Sequence, residues 1–275
     1  MARIERLSGA LETWRLTDGA SMVEVAPSRG GLVTSFVVDG VPVLFMDQAT
    51  LLDPSKNVRG GVPLLFPFAG KPPPGSSLGQ HGFARKLPWI AGSSRAESRG
   101  DTARLECKLS SSEQTLAAWP FSFSAQLAVS LFDSRLMLEW AFQNLGTAPM
   151  PLHFGIHPYF CVGAKEQVKV EGASGPAFDN KLGSEREVDR VDFAQGEVDL
   201  HFTPFELGGT TLHRGDGRKV KLAWTEQFKT LVVWTLPGQA FVGVEQWTSP
   251  GLSPARLHVA PGMTERLAVA MSLET

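Results

Sequence analysis

The stretch Leu-Met-Leu-Glu-Trp-Ala-Phe, residues 136–142, decides the fold class of this chain. Within it, Leu136, Leu138, Trp140 and Phe142 recur at every second position. On a β-strand, a period of two places all four side chains on one face. The stretch therefore predicts a strand with one face on an apolar core and the other toward solvent or a polar layer.

The same period of two recurs along the rest of the chain. It is found again at Leu105, Cys107 and Leu109, at Leu127, Val129 and Leu131, at Val220, Leu222 and Trp224, and at Leu267, Val269, Met271 and Leu273. Between residues 33 and 45, two β-branched runs flank Asp39-Gly40, which favours a tight hairpin turn. The chain is therefore predicted to be all-β, a large antiparallel β-sandwich that forms a single domain over residues 1–275.

Helical signals are sparse in this sequence. Residues 110–113 have capping-box spacing and predict a helix of one or two turns, which Trp119-Pro120 should stop. No long segment repeats at 3.6 residues, so helices are not expected to contribute much to the core.

The composition argues against several classes of function. The 26 Lys and Arg residues are balanced by 28 Asp and Glu, which leaves no basic surplus for nucleic acid or an anionic membrane. No apolar run reaches the ~20 residues of a membrane span. The first residues, MARIERLSGALETW, carry charges throughout and lack the apolar core of a signal peptide. We therefore expect a cytoplasmic protein with no nucleic-acid partner and no membrane partner.

Metal and disulfide signals are weak. Cys107 and Cys161 lie far apart and in no metal-ligand spacing, and two free thiols or one disulfide both fit. His153 and His157 have a spacing that ligates zinc on a helix, but Gly155 and the proline that follows His157 argue against a helix. No metal and no cofactor are expected.

Residues 151–160, Pro-Leu-His-Phe-Gly-Ile-His-Pro-Tyr-Phe, hold two of the six histidines and the only tyrosine. On a strand, His153, Gly155 and His157 share one face, and Gly155 is expected to leave space between the two rings. Histidine has an unperturbed pKa near neutral, so a ring held among apolar groups is a candidate proton donor or acceptor. From the residues alone, a partly buried, hydrogen-bonded structural histidine is the commoner explanation of any single ring, and His153 is interpreted as structural or supporting.

Two segments rich in glycine and aromatic residues carry further candidates. Arg59 precedes paired glycines in residues 59–70 and could bind an anion or sugar hydroxyls, or remain solvated. In residues 80–89, His81 and Arg85 are potential donors to a polar ligand, and the aromatic residues beside them suit the face of a sugar ring. A surface loop anchored by those aromatic residues is the alternative.

Two carboxylates complete the candidate set. Glu245 interrupts an otherwise apolar strand, so it either faces solvent or is held in a site, where burial would raise its pKa toward that of a general base. Asp199 could accept hydrogen bonds from sugar hydroxyls or serve as a turn residue, and Glu197 competes for the same role.

Five segments, taken in order, resemble the aldose 1-epimerase (galactose mutarotase-like) family, most closely its hexose-6-phosphate mutarotase branch. They are RGGVPLLFPFAG (59–70), QHGFARKLPW (80–89), WPFSFSAQLAVSL (119–131), QNLGTAPMPLHFGIHPYF (143–160) and VGVEQWTSPG (242–251). The resemblance implies a one-domain β-sandwich, the galactose mutarotase-like supersandwich. It also implies an isomerase that interconverts the α and β anomers of a hexose or hexose 6-phosphate by acid/base-catalysed ring opening, without a cofactor.

Carried over position by position, the resemblance makes His157 the catalytic acid and Glu245 the catalytic base. One departure from the family pattern is Cys161, where many members have Asn after the Tyr-Phe pair.

The resemblance also implies a set of substrate-binding residues. His81 would bind and polarise the sugar, Arg59 and Arg85 would contact a phosphate, and Asp199 would be the sugar-binding carboxylate. The expected partner is a small-molecule sugar or sugar phosphate, bound by a monomer or weak dimer.

Three other functions remain open from the sequence. A non-catalytic carbohydrate-binding β-sandwich would share the fold and the aromatic residues. A glycoside hydrolase usually needs two carboxylates that flank the bond, and Glu245 is the one good candidate. A metal enzyme would use His81, His153, His157 and Glu245.

Overall fold

Antiparallel strands make up most of the computed structural model, which describes residues 2–72, 74–97, 102–250 and 257–274. The strands are β1 (Arg3–Leu7), β2 (Thr13–Asp18), β3 (Ser21–Ala26), β4 (Leu32–Val38), β5 (Val41–Pro42), β6 (Leu64–Leu65), β7 (Ile90–Glu97), β8 (Thr102–Ser110), β9 (Phe123–Phe132), β10 (Arg135–Asn144), β11 (Met150–Leu152), β12 (Gly155–Ile156), β13 (Tyr159–Cys161), β14 (Val168–Val170), β15 (Gly175–Asp179), β16 (Ser184–Val188), β17 (Val198–Phe202), β18 (Gly209–Arg214), β19 (Lys219–Trp224), β20 (Thr230–Thr235), β21 (Phe241–Trp247), β22 (Leu257–Val259) and β23 (Thr264–Glu274). Two short helices, α1 (Gln48–Leu52) and α2 (Glu113–Ala118), and three 3₁₀ turns, Pro27–Arg29, Ala84–Lys86 and Lys165–Gln167, complete the elements. The predicted all-β class is confirmed.

One large sheet, here called the outer sheet, has the strand order β14-β18-β19-β23-β10-β9-β8-β7. It contains every strand that was predicted from apolar residues at every second position, apart from the two strands of the hairpin at Asp39-Gly40. Leu138 on β10 lies opposite Val129 on β9 and Val269 on β23, so the apolar positions of neighbouring strands share one buried face. The opposite face carries exposed polar side chains such as Glu139.

The second large sheet, here called the site sheet, has the order β16-β15-β17-β20-β21-β12-β6, and β13 also pairs with β21. On one face, Leu200, Val233 and Val244 lie opposite one another across three strands and are buried in the main core. On the other face, the same register aligns His201, Val232 and Glu245.

Both faces of the site sheet are covered along β21, where all seven residues are buried. A polar side chain on this strand is therefore removed from bulk water whichever way it points.

The main core lies between the outer sheet and the site sheet. Phe142 on β10 packs against Phe66, just after β6, with ring centroids 4.8 Å apart. Phe154, just before β12, packs against Phe142 and Trp140 at 4.9 and 5.0 Å. These aromatic contacts join the two sheets into the predicted sandwich.

A third sheet, β1-β2-β3-β4-β5, packs against the outer sheet through β2, β8 and β9. Its last two strands form the predicted hairpin, with Asp39 and Gly40 at φ 48° and 76°. Positive φ at both positions is the conformation that a type I′ turn requires.

The two helices differ from the prediction in detail. Helix α2 spans Glu113–Ala118 and has Ser112 rather than Ser110 as its N-cap, because Ser112 and Thr115 form the reciprocal capping box. Helix α1 was not predicted, although the Asp47 carboxylate caps it by accepting from the Ala49 and Thr50 amides. Within the described ranges, no helix is long and apolar enough to cross a membrane. Both cysteines are free thiols.

Candidate active site

A cavity of about 1040 Å³ opens on the face of the site sheet that looks away from the core. Aromatic residues of the strands form its floor, and loops before and after β6 form one wall. All six residues selected from the sequence line it: Arg59, His81, Arg85, His157, Asp199 and Glu245. The fold therefore brings together segments that lie up to 186 positions apart, from 59 to 245.

The two selected acid–base candidates are in direct contact. His157 Nε2 lies 3.1 Å from Glu245 Oε1. The other carboxyl oxygen, Oε2, accepts a hydrogen bond of 3.0 Å from the indole Nε1 of Trp247. Glu245 and Trp247 are two residues apart on β21, so the strand itself places both side chains toward the cavity.

Burial changes the proton affinities of both partners. It raises the pKa of the Glu245 carboxyl well above its usual value. Burial together with the nearby Arg85 charge lowers the pKa of His157 to about 3. The hydrogen bond from Trp247 and the charge of Arg85 act in the other direction on the Glu245 pKa, favouring its carboxylate. Over a wide pH range the pair therefore holds one proton between two groups that are 3.1 Å apart.

Ring packing fixes the orientation of His157. The ring stacks on Tyr159, with centroids 4.4 Å apart and planes 13° apart, and meets the edge of Trp234 at 5.3 Å. A Cβ at Gly243 would lie 3.4 Å from His157 Cε1, so the strand passes closely beneath the ring. Among the described residues, the buried Nδ1 has no hydrogen-bond partner, so aromatic contacts rather than a second hydrogen bond hold this ring.

His81 presents a neutral donor to the cavity. Its Nδ1 accepts a 2.9 Å hydrogen bond from the Gly70 amide, which places the ring hydrogen on Nε2. Burial holds the pKa of His81 well below its usual value. The backbone of His81 has φ 63°, uncommon for a residue other than glycine, and its amide donates to the Gly70 carbonyl at 2.8 Å.

His153 lies outside the cavity lining and has both ring nitrogens engaged. Nδ1 accepts from the Ala69 amide and Nε2 contacts the Pro250 carbonyl, both at 3.1 Å. The space at Gly155 is filled by an indole ring rather than left between the histidines, because a Cβ there would lie 2.6 Å from Cδ1 of Trp247. The structural reading of His153 fits these contacts.

The arginines and the Asp199 carboxylate lie toward different ends of the cavity, because the elements that carry them are separated in the strand order of the site sheet. Arg59 precedes β6 and Arg85 follows it, so both lie at one end of the sheet, where Lys56 and Lys71 also line the cavity. Arg59 is exposed, and Arg85 is half-buried with one Nη donating to the Gln80 carbonyl at 3.0 Å. This end of the cavity is cationic.

Asp199 lies toward the other end, on β17, two strands from β21. One of its oxygens contacts His201 Nε2 at 3.0 Å, and the other accepts from the Asn180 side chain at 2.7 Å. Glu197, the competing carboxylate, is exposed at the rim. These two contacts fix the Asp199 carboxylate in place.

Several lining residues were not selected from the sequence, among them Asn180, His201, Trp234 and Trp247. His201 could have been found, because it stands two positions after Asp199 and shares its face of the strand. Trp247 could have been found in the same way, because it stands two positions after Glu245 on β21. Trp234 had no such signal, since an indole beside apolar residues is usually part of a core.

Among residues that the structure describes, no group of three or more His, Cys, Asp or Glu side chains is arranged to hold a metal ion. Gly251, the last residue of the fifth sequence segment, lies outside the described residues.

Comparison with known proteins gives consistent matches. The family model described as Aldose 1-epimerase matches residues 12–268. A Cenchrus ciliaris protein named "Putative glucose-6-phosphate 1-epimerase" is 33% identical over 180 residues, which cover 62% of this chain and 54% of that protein. The chain thus spans about half the length of this curated relative.

Solved structures match over nearly the whole chain. The Slr1438 protein from Synechocystis sp. PCC 6803 is 31% identical, with a TM-score of 0.92 over 98% of this chain and 99% of that one. A galactose mutarotase-like protein from Clostridium acetobutylicum is 16% identical, with a TM-score of 0.84 over 100% of this chain and 99% of that one. The predicted supersandwich fold is confirmed.

Proposed function

The chain belongs to the aldose 1-epimerase family, whose model matches residues 12–268, and we propose that it interconverts the α and β anomers of a hexose. The observation that carries the proposal is the buried contact between His157 and Glu245. Anomer exchange requires one proton to leave the anomeric hydroxyl and one to reach the ring oxygen. A pair that shares a single proton supplies both groups without a cofactor.

The number of protons on His157 and Glu245 matches what ring opening requires. Glu245 as carboxylate takes the proton of the O1 hydroxyl while His157, protonated at Nε2, gives its proton to the ring oxygen. The bond between C1 and the ring oxygen breaks, and C1–O1 becomes a carbonyl. The pair still holds one proton, now on Glu245, and closure after rotation about C1–C2 returns both protons.

The protonated form of Glu245 is the one that burial favours before the sugar arrives. The working form therefore requires the single proton to cross the 3.1 Å contact to His157. The Trp247 hydrogen bond and the Arg85 charge stabilise the carboxylate that this transfer creates. His81 assists as a neutral Nε2–H donor near the ring oxygen, and Asp199 accepts from a sugar hydroxyl.

We propose a hexose 6-phosphate as the preferred substrate. The cationic end of the cavity, with Arg59, Arg85, Lys56 and Lys71, suits a phosphate through charge-assisted hydrogen bonds. The name of the Cenchrus ciliaris relative points to the same substrate class. A neutral hexose would use the same acid–base pair without the contacts at this end.

Anomer exchange in the purified protein tests the proposed activity. Exchange of glucose and of glucose 6-phosphate is followed by NMR, with wild type and His157→Asn. We expect wild type to accelerate exchange and His157→Asn to lose nearly all of it with its fold retained. Sugar binding without exchange in wild type would instead identify a non-catalytic carbohydrate-binding protein, and loss of activity on exhaustive chelation would identify a metal enzyme.

A second comparison tests the substrate. Arg85→Ala should lose more activity on the phosphorylated sugar than on glucose, because the lost charge beside Glu245 affects both sugars while the lost phosphate contact affects one. Equal losses on both sugars would contradict the phosphate-binding role.

A further inference from the structure

Arg29 lies behind the cationic end of the cavity, in the 3₁₀ turn that connects β3 to β4. Its guanidinium donates to four backbone carbonyls, at distances of 2.7–3.1 Å: Leu51, Thr50, Asp53 and Lys56. The last carbonyls of a helix have no partner within the helix, and an arginine side chain can satisfy them. These hydrogen bonds connect α1 and the residues after it to the third sheet, β1-β2-β3-β4-β5.

The segment that Arg29 holds forms part of the cavity wall. Thr50, Lys56 and Arg59 all line the cavity. Within the segment, the Arg59 amide donates to Thr50 Oγ1 at 3.0 Å, and the Arg59 carbonyl accepts from the Asp47 amide at 2.9 Å. A shift of the carbonyls that Arg29 binds would therefore move the backbone from which Arg59 projects.

The same turn also bears on Arg85. Gly30 has φ 82°, and a Cβ on it would lie 2.4 Å from the backbone oxygen of Arg85. The turn therefore meets the main chain of Arg85 directly, at a distance that only glycine allows. One turn, outside the cavity lining, touches both segments that carry the candidate phosphate-binding arginines.

We propose that Arg29 is a positioning residue for selection of the phosphorylated sugar, an inference that rests on the proposed function. It fixes the wall that carries Arg59, while its neighbour Gly30 fixes the backbone of Arg85. Arg29 makes no contact with His157 or Glu245 among the described interactions. Its loss is therefore expected to weaken phosphate recognition and leave proton transfer unchanged.

Binding and turnover of two sugars test the proposal in Arg29→Gln, Arg29→Lys and the control Arg104→Gln. Arg104 is also a half-buried arginine with several acceptors, but it lies on the outer sheet. We expect Arg29→Gln to raise KM and Kd for glucose 6-phosphate roughly ten- to a hundredfold. The kcat, and the KM for glucose, should change less than about twofold, and Arg104→Gln should match wild type.

Arg29→Lys keeps one cationic donor group and should recover part of the affinity for glucose 6-phosphate, which a merely structural role would not require. Equal rises in KM for both sugars, or a lower Tm with unchanged KM, would overturn the proposal. If Arg29→Gln does not fold, Arg29→Lys, which has three donor hydrogens for four carbonyls, must show a smaller selective rise in KM for glucose 6-phosphate.

Calorimetric binding separates this proposal from the proposed activity. A wild type that binds glucose 6-phosphate without exchanging anomers would refute the activity, and the loss of affinity in Arg29→Gln would still support the positioning role. A wild type that binds glucose 6-phosphate no better than glucose would refute the positioning role.

Discussion

The outer sheet and the site sheet each carry a glutamate on a central strand, and the two glutamates lie in opposite environments. Glu139 on β10 pairs with Arg104, and its side chain is 46% exposed. Glu245 on β21 contacts His157, and its side chain is 3% exposed. Both project from the face opposite the main core, so the difference comes from what covers that face.

Water covers the outer sheet and screens its charges, and exposed ion pairs of this kind contribute about 0–1 kcal/mol to stability. Loops and aromatic rings cover the site sheet, so charge there is desolvated and the pKa values move apart. Alternation along a strand therefore locates a polar face, whereas the loops over that face decide whether its charged groups are desolvated enough for their pKa values to shift.

The largest expected difference between the sheets is in activity after removal of a carboxylate charge. Glu245→Gln should lower kcat on glucose by ~10²–10⁴-fold, because an amide cannot take the anomeric proton. Glu139→Gln is the matched control and should leave kcat unchanged. The measurement is anomer exchange by NMR, and comparable activity in the two variants would erase the distinction between the sheets.

The pH dependence of anomer exchange should follow the protonation of the buried His157–Glu245 pair. Below about pH 3 both Glu245 and His157 hold protons, and no base remains. Above the raised pKa of Glu245 both have lost them, and no acid remains. Activity on glucose should therefore be flat from pH 7 down to about 4.

Glucose is the substrate of choice for this profile, because a phosphate group titrates with a pKa near ~6. Circular dichroism at each pH checks that the fold is intact. An acidic limb centred near ~6.5 would show that His157 titrates like an exposed histidine and would contradict the assigned environment.

Two tryptophans offer a smaller test of the same comparison. Trp247→Phe removes the hydrogen bond to Glu245 and should lower kcat about tenfold, since bonds to charged groups contribute about 1.5–3 kcal/mol. Trp140→Phe on the outer sheet opens space in the core and should cost roughly 1–3 kcal/mol of unfolding free energy with kcat retained. Urea unfolding and anomer-exchange rates on both variants test whether Trp247→Phe loses mainly kcat and Trp140→Phe mainly stability. A loss of kcat in Trp140→Phe alone would contradict this expectation.

The smallest expected effect is at His153, which supports the site sheet without lining its cavity. His153→Leu leaves the Ala69 amide without an acceptor and should cost about 1–3 kcal/mol of unfolding free energy. His153→Gln can still accept from Ala69 and should recover most of that stability. Urea unfolding distinguishes the two, and equal stability would show that the hydrogen bond to Ala69 contributes nothing.

The strands of the outer sheet could be predicted from the sequence because one face of that sheet is buried and the other is exposed to water. Leu136, Leu138, Trp140 and Phe142 take every second position, and their partners on β9 and β23 alternate in register with them. The strand β21 lacks a clean alternation, because both of its faces are covered and five of its seven residues are apolar or glycine, the exceptions being Glu245 and Gln246. Strand order in the site sheet depends on distant pairings that no local pattern encodes.

The site was predicted in part. Residue type alone made Glu245 and His157 candidates, and the family resemblance assigned their roles. Their contact depends on the pairing of β12 and β13 with β21, and the sequence gives no direct sign of that register. His201 and Trp247 were missed although each stands two positions after a candidate carboxylate, because a shared face does not by itself show that two side chains touch.

The cations of the cavity stand on loops near β6, whereas Glu245 and Trp247 stand on a central strand. Loops accept insertions and substitutions that strands do not tolerate. In an evolving lineage, segments 50–59 and 70–86 could therefore diversify toward new sugars while the proton-transfer pair is inherited unchanged. A library randomised at Lys56, Arg59 and Lys71 would sample such new specificities with little risk to the chemistry.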